Sequence, residues 1–309
     1  MMIQTENLTK KFDTNTAVDR LSLQIEQGEV FGFLGPNGAG KTTTVRMLTS
    51  LIAPSAGSAT VMGYDVIRDG QNVRRNVGLL TETPGMYDRL SAWRNLTIFA
   101  TLYEVKDVAG QVEKYLRLLG LWERREDAVG TFSKGMKQKL AIARALLHEP
   151  QILFLDEPTA ALDPEAAKLI RDFIEELSGQ GRTIFLCTHN LDEADRLCDR
   201  IAVFKGHLRV VDSPSGLRDK LYGRQVVFHL AEAAQPYLPG IVALPVVNRA
   251  KAAENKLILS LKTLKPPTLT SYATWCRQAP PFSLWGNYAT RLKIFICSWS
   301  TRHNVNSKN

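Results

Sequence analysis

The stretch Phe31–Leu48, FGFLGPNGAGKTTTVRML, opens on an apolar run, passes three glycines in six residues, and ends on a lysine, three threonines and a helical pattern. The spacing Gly35-x-x-x-x-Gly40-Lys41-Thr42, with Val45, Met47 and Leu48 as the apolar face of a helix behind it, is the pattern of a phosphate-binding loop. Glycines at 35, 38 and 40 let backbone N–H groups curl inward around an anion, and the helix adds its positive N-terminal end. Lys41 reaches for terminal phosphates, Thr42 offers a hydroxyl to Mg²⁺, and Pro36, Asn37, Ala39 and Thr43 complete the loop. The guest this predicts is a nucleoside triphosphate. The competing reading, a glycine-rich turn before a helix, does not account for the strand-like run in front.

A second apolar run, ILFLDEP (152–158), ends in two carboxylates. A buried strand rarely ends so unless the acids meet a cation or a water: Asp156 is expected to hold Mg²⁺ through water and Glu157 to polarise the attacking water. Upstream, TFSKGMKQKLAIARALL places Ser133 and Gly135 at a helix start, where hydroxyl, backbone N–H and dipole favour an anion. Taken alone, Ser133 is equally an ordinary helix cap.

Around these motifs apolar runs alternate with helical patterns: VFGFL then 41–51; VGLL then 91–103 and 108–119; ILFLD then 165–177; TIFLCT then 191–198. The fold class this predicts is α/β, with a largely parallel central sheet. Residues 83–147 read as helical throughout, with Val108, Val112, Leu116 and Leu119, and Met136, Leu140, Ala143 and Leu147, at helical spacing; they form an inserted helical subdomain. The α/β pattern ends near SPSG (213–216), so residues 1–225 are expected to form the nucleotide-binding domain. RQVVFHL and KLILSL look like strands of a small accessory segment over 226–265.

The 309 residues, 44% hydrophobic and 23% charged, suit a globular protein of one or two domains. No apolar run approaches the roughly 18 residues that cross a bilayer, and MMIQTENLTKKF lacks a signal-peptide core, so a cytosolic protein is expected. Cys187, Cys198, Cys276 and Cys297 show no C-x-x-C and fit a reducing compartment as packing residues. The net charge of +8 sits in residues 226–309, which hold ten Lys/Arg and two Asp/Glu, leaving 29 of each sign before them. The charge therefore describes the tail and gives no ground for a nucleic-acid partner.

In order, these motifs resemble the ATP-binding subunit of an ATP-binding cassette (ABC) transporter over residues 1 to about 225. The family's Walker A loop falls on 35–43, its signature on Phe132-Ser133-Lys134-Gly135-Met136, its Walker B on 152–157, its D-loop on Ala161-Leu162-Asp163 and its switch histidine on His189. The resemblance implies ATP and Mg²⁺ as cofactors, Glu157, His189 and Lys41 in catalysis, and Asp163 and the signature at the nucleotide. By itself His189 would more often be a satisfied loop histidine. Phe12 matches the aromatic that stacks on adenine, with an edge-strand core residue as the alternative. Two positions depart from the family. The FSKGMKQ form looks like that of exporters of drugs, antibiotics or ions, and Glu82 stands where the Q-loop glutamine is usual, able to ligate Mg²⁺ but adding negative charge.

In this family the loop of one cassette and the signature of a second close over one ATP. The resemblance thus implies a second cassette, identical or paralogous, and a separate integral membrane permease, with the chain peripheral on the inner face of the membrane. A soluble cassette ATPase acting on ribosomes or DNA is the alternative; it would usually carry two cassettes or a long coiled-coil insertion. A GTPase would need N-K-x-D, where 190–193 reads NLDE. Residues 266–309 form an irregular tail with three of the five Trp, two of the four Cys and no acid, a composition expected of a shifted reading frame. Read from the third base of permitted codons, it can encode an S-L-E-D-L-Y-L ending like that of exporter cassettes; a genuine irregular basic tail is the other reading.

Overall fold

VFGFL, ILFLD and TIFLCT are buried almost residue for residue, as strands covered on both faces must be. The computed structural model describes residues 1–83, 85–222, 224–243 and 247–261. Along them run β1 (Ile3–Phe12), β2 (Asn15–Ile25), β3 (Val30–Leu34), α1 (Lys41–Leu48), β4 (Ala56–Val61), β5 (Tyr64–Asp65), α2 (Gly70–Asn76) and β6 (Val77–Leu80). There follow α3 (Ala92–Leu102), α4 (Val108–Leu118), α5 (Lys134–Leu146), β7 (Ile152–Asp156), α6 (Pro164–Gly179), β8 (Thr183–Thr188) and α7 (Leu191–Leu197). The last elements are β9 (Arg200–Lys205), β10 (His207–Asp212), α8 (Pro214–Tyr222), β11 (Arg224–His229), α9 (Leu238–Val242), β12 (Val247–Ala253) and β13 (Lys256–Leu261). The chain divides into a unit ending at Leu221 and a second beginning at Tyr222.

In the first unit a six-stranded sheet has the order β10-β9-β3-β8-β7-β6, parallel except for β10 against β9. Successive side chains alternate between its faces. Phe31, Phe33, Phe154, Phe185 and Phe204 share one core with α1 and a four-stranded antiparallel sheet, β2-β1-β4-β5. Val30, Leu153, Leu155, Ile184 and Leu186 join the other, with Leu96, Leu116, Leu140, Ile174 and Leu197 from the helices. The antiparallel sheet is an addition to the layers expected from the sequence.

Between β6 and β7 the expected helical stretch holds α3, α4 and α5, started by Ser91, Asp107 and Ser133, whose side chains accept from backbone N–H groups three residues on. Buried Asn95 pins the loop before α3, accepting from Tyr87 N at 2.9 Å and donating to Tyr87 O at 3.1 Å and Ser91 O at 3.0 Å. In the second unit β11, β13 and β12 form an antiparallel sheet over a small core of Ala234, Ile241, Val247, Leu257 and Leu259. RQVVFHL and KLILSL supply β11 and β13. The tail 266–309, with its shifted-frame reading and Cys276 and Cys297, lies outside the described residues.

Phe185 sits fully buried between Phe31, Phe33 and Phe154, with ring centroids at 5.8, 5.3 and 5.5 Å. Phe185→Ala is expected to destabilise the first unit by about 3–5 kcal/mol in urea unfolding. A loss under about 1 kcal/mol would show that this aromatic cluster does not anchor the sheet.

Candidate functional site

The parallel pairs Leu34↔Thr188 and Cys187↔Asp156 bring the carboxyl ends of β3, β8 and β7 level. The loop after Leu34, the histidine after Thr188 and the glutamate after Asp156 therefore leave the sheet side by side, as ligand-binding segments of open α/β sheets do. Gly35 N–H donates to Thr188 O at 3.2 Å and Glu157 N–H to Cys187 O at 3.0 Å, fixing the two exits to the strand between them.

Within the loop Gly38 and Gly40 adopt φ of 76° and 102°, the left-handed region that favours glycine. A Cβ on Gly40 would lie 2.3 Å from Ala17 O of β2. Gly35 corrects the expectation: its N–H is spent on the sheet rather than turned inward, and it must be glycine because a Cβ would stand 2.2 Å from Phe204 O. Helix α1 starts at Lys41 with no side-chain cap, leaving its first N–H groups to an anion.

Lys41 is buried, its Nζ donating to Gly35 O at 2.7 Å and Pro36 O at 3.2 Å and standing 3.1 Å from Glu157 Oε1. His189 Nδ1 lies 2.9 Å from the other Glu157 oxygen, Oε2. Glu157 itself is buried and holds φ at 52°, which costs a non-glycine residue energy and clusters at functional sites. Thr42 donates its hydroxyl to Asp156 Oδ2 at 2.7 Å, while Asp156 Oδ1 is buried with no hydrogen-bond partner. Burial pushes the Asp156 carboxyl above its ordinary range, the charges of Glu157 and Glu82 act the same way, and the Thr42 hydroxyl and Lys41 oppose them. An orphaned, desolvated oxygen next to a threonine hydroxyl fits a hard divalent cation.

The sequence-predicted residues divide here. Lys41, Thr42, Asp156, Glu157 and His189 meet in one cluster; exposed Glu82 acts on Asp156 through its charge. Ser133 caps α5 by accepting from Met136 N at 3.2 Å, Gly135 is buried against Ala166, and Asp163 caps α6 by accepting from Ala166 N at 2.8 Å. Phe12, 47% exposed at the end of β1 with Lys10 Nζ 5.1 Å from its ring centroid, is not a core residue. Three residues given no role by the sequence reading also reach the site's supports: Gln138, at the end of the FSKGMKQ stretch, and Thr159 and Glu193, outside every motif. Gln138 Nε2 donates to Pro158 O at 2.9 Å, and the Thr159 hydroxyl donates to Glu193 Oε1 at 2.7 Å. Nothing in their spacing marked them, because each pairs with a partner 20 or more residues away.

Over residues 18–160 the chain matches the ABC transporter family model. It is 40% identical over 223 residues to a fluoroquinolones export ATP-binding protein of Mycobacterium tuberculosis, covering 70% of this chain and 72% of that one. The chain belongs to the ABC transporter family. It is also 41% identical over 203 residues to the bacitracin transport ATP-binding protein BcrA of Bacillus licheniformis, covering 65% and 66% of the two chains. The dimeric structure of a bacterial ABC transporter cassette matches with a TM-score of 0.64 and 25% identity, over 69% of this chain and 99% of the other. The protein is thus an ABC cassette with ATPase activity, and the cluster lies at the carboxyl ends of inner strands of the sheet, where the glycine loop leaves β3.

If Glu157 polarises the water, Glu157→Gln keeps the size and loses the basicity. Hydrolysis should fall roughly 10²–10⁴-fold while equilibrium binding of ATP persists. Near wild-type turnover in a steady-state phosphate assay would remove Glu157 from that role.

Proposed function

We propose that this cassette works as one of a pair, identical or paralogous, that closes over ATP and drives a separate integral membrane permease. Under this reading Gly35–Thr43 holds the phosphates, Phe12 meets the adenine, and Ser133, Gly135 and Asp163 of the second cassette complete the site. The observation that carries it is the division of the site. Among the described residues no hydrogen bond or ion pair joins residues 133–135 to the Lys41–Glu157–His189 cluster, which supports a site divided between two chains. The dimeric assembly of the solved cassette supports the same reading.

Thr42, Asp156 and Glu82 are the residues that would hold Mg²⁺, which supplies charge neutralisation at the phosphates when bound. Among the described residues no group of three or more His, Cys, Asp or Glu is placed to hold a metal. Glu157 orients and deprotonates the attacking water. While Glu157 is ionised, His189 Nδ1 must be the donor in their contact, so Nε2 on a ring 52% exposed is left for the γ-phosphate, as a donor once the ring is protonated.

Relatives named for bacitracin transport and fluoroquinolones export support an export role, with a drug, antibiotic, lipid-like compound or ion as cargo. Among the described residues no helix is long and apolar enough to cross a membrane. The permease is proposed as a separate polypeptide that holds this chain on the inner face of the membrane.

Two substitutions test the divided site. Lys41→Ala should abolish tight ATP binding by the isolated chain, whereas Ser133→Arg should leave that binding within about twofold of wild type; both should lose ATPase activity. A Ser133→Arg chain that loses binding as fully as Lys41→Ala would place both halves in the same subunit.

A further inference from the structure

Glu193 on α7 is 2% exposed, accepts from the Thr159 hydroxyl on Oε1 at 2.7 Å, and has no hydrogen-bond partner on its buried Oε2. Its neighbours on the helix, Ala194 and Leu197, are buried apolar residues, and Cys198 beyond them is buried too. A carboxylate withdrawn from water with one oxygen unpaired destabilises a fold, and a well-packed apolar residue there would avoid that cost. What the acid holds is therefore the question.

It closes a ring. From Glu157 the backbone runs through Pro158 to Thr159, whose hydroxyl meets Glu193 Oε1 at 2.7 Å. The Glu193 N–H donates to Asn190 Oδ1 at 3.3 Å, and Asn190 is bonded in the chain to His189, whose Nδ1 returns to Glu157 Oε2 at 2.9 Å. Two further contacts brace the circuit: Asn190 N–H donates to Thr188 Oγ1 at 3.0 Å and Gln138 Nε2 to Pro158 O at 2.9 Å. Inside it Glu157 holds its left-handed φ of 52°, a conformation that persists only where the surroundings over-determine it. On its amino side that backbone is fixed by Glu157 N–H to Cys187 O at 3.0 Å. On its carboxyl side Gln138 holds the Pro158 carbonyl, and the first side chain of the turn itself to be tethered is that of Thr159.

We infer that Glu193 and Thr159 are positioning residues for ATP hydrolysis: their hydrogen bond ties α7 to the turn after Glu157 and so sets the His189–Glu157 contact. The inference rests on the roles given above to Glu157 and His189. With the tether cut, the turn can relax and α7 can carry His189 away from the carboxylate. Displacements of about 1 Å in such groups can lower a rate by roughly 10²-fold. ATP recognition, built on the loop at 35–43, lies outside the ring.

The test uses the full chain and measures kcat, KM, equilibrium ATP binding and melting temperature for Thr159→Val and Thr159→Ser, in wild-type and His189→Ala backgrounds. Thr159→Val should lower kcat roughly 10- to 100-fold with KM and ATP binding within about twofold, and Thr159→Ser, which restores the hydroxyl, should recover most of the rate. In the His189→Ala background Thr159→Val should cost less than about twofold more, because the contact it maintains is already gone. Glu193→Gln, which keeps an oxygen for Thr159, should outperform Glu193→Leu; should the latter fail to fold, the threonine pair still decides. Wild-type kcat in Thr159→Val, or the same fold-loss with and without His189, would overturn the inference. If Glu157→Gln and His189→Ala themselves turned over at the wild-type rate, the catalytic assignments would fall first, a result distinct from failure of the ring.

Discussion

The parallel pairing of β3, β8 and β7 is the constraint on which the site depends. Leu34 opposite Thr188 and Cys187 opposite Asp156 set three strand ends level; Asp156, Glu157 and His189 lie at those ends, and Lys41 and Thr42 at the start of α1 after the loop that leaves β3. The pairing in turn requires that both faces of the sheet be covered, since its central strands are apolar on both sides. The helices of the inserted segment, with α6 and α7, cover one face; α1 and the antiparallel sheet cover the other. β2 has a second task there, because its Ala17 carbonyl occupies the space a side chain on Gly40 would need. A sheet recruited to complete the core thus also shapes the phosphate loop.

The cluster works against the stability of the fold that presents it. Asp156, 1% exposed, has its carboxyl pushed above the ordinary range, first by burial. The folded state then binds a proton more readily than the unfolded state, so this group's contribution to stability declines as pH rises through and above the ordinary carboxylate range. At neutral pH the charged form is a burden that Thr42 and Lys41 only partly offset. Such burdens cluster at functional sites. Behind Asp156 the Cys187 thiol is also pushed well up, by burial first and then by the Asp156 charge, which keeps it a packing residue rather than a nucleophile.

The cluster's main residues were legible because their chemistry is written in short spacings: a loop of eight residues, two acids ending a run, a histidine ending another. The helix start at Ser133 was local in the same way. The ring through Thr159 and Glu193 was not, because it joins side chains 34 residues apart and neither belongs to a pattern. β1 was obscured by register shifts against β2 that break the two-residue alternation, and β12, VNRAKAA, has small and charged residues of weak strand preference. Gly35 was recognised for its position and assigned the wrong reason: the carbonyl that excludes a side chain there belongs to Phe204, 169 residues along the chain.

Lys41 connects recognition to chemistry. Its ammonium is shared among two loop carbonyls and Glu157 Oε1, in a place where both charged groups are buried. Breaking a buried pair by removing one partner typically costs about 3–5 kcal/mol, so the lysine leaves the carboxylate only for a stronger anion. A triphosphate, with several negative charges presented to the same loop, is such an anion. On the proposed reading its arrival draws the lysine toward phosphate and frees Glu157 Oε1, while Oε2 keeps its contact with His189. The lysine that meets the nucleotide is thus the same group that pairs with Glu157 in its absence, so recognition and chemistry share one side chain.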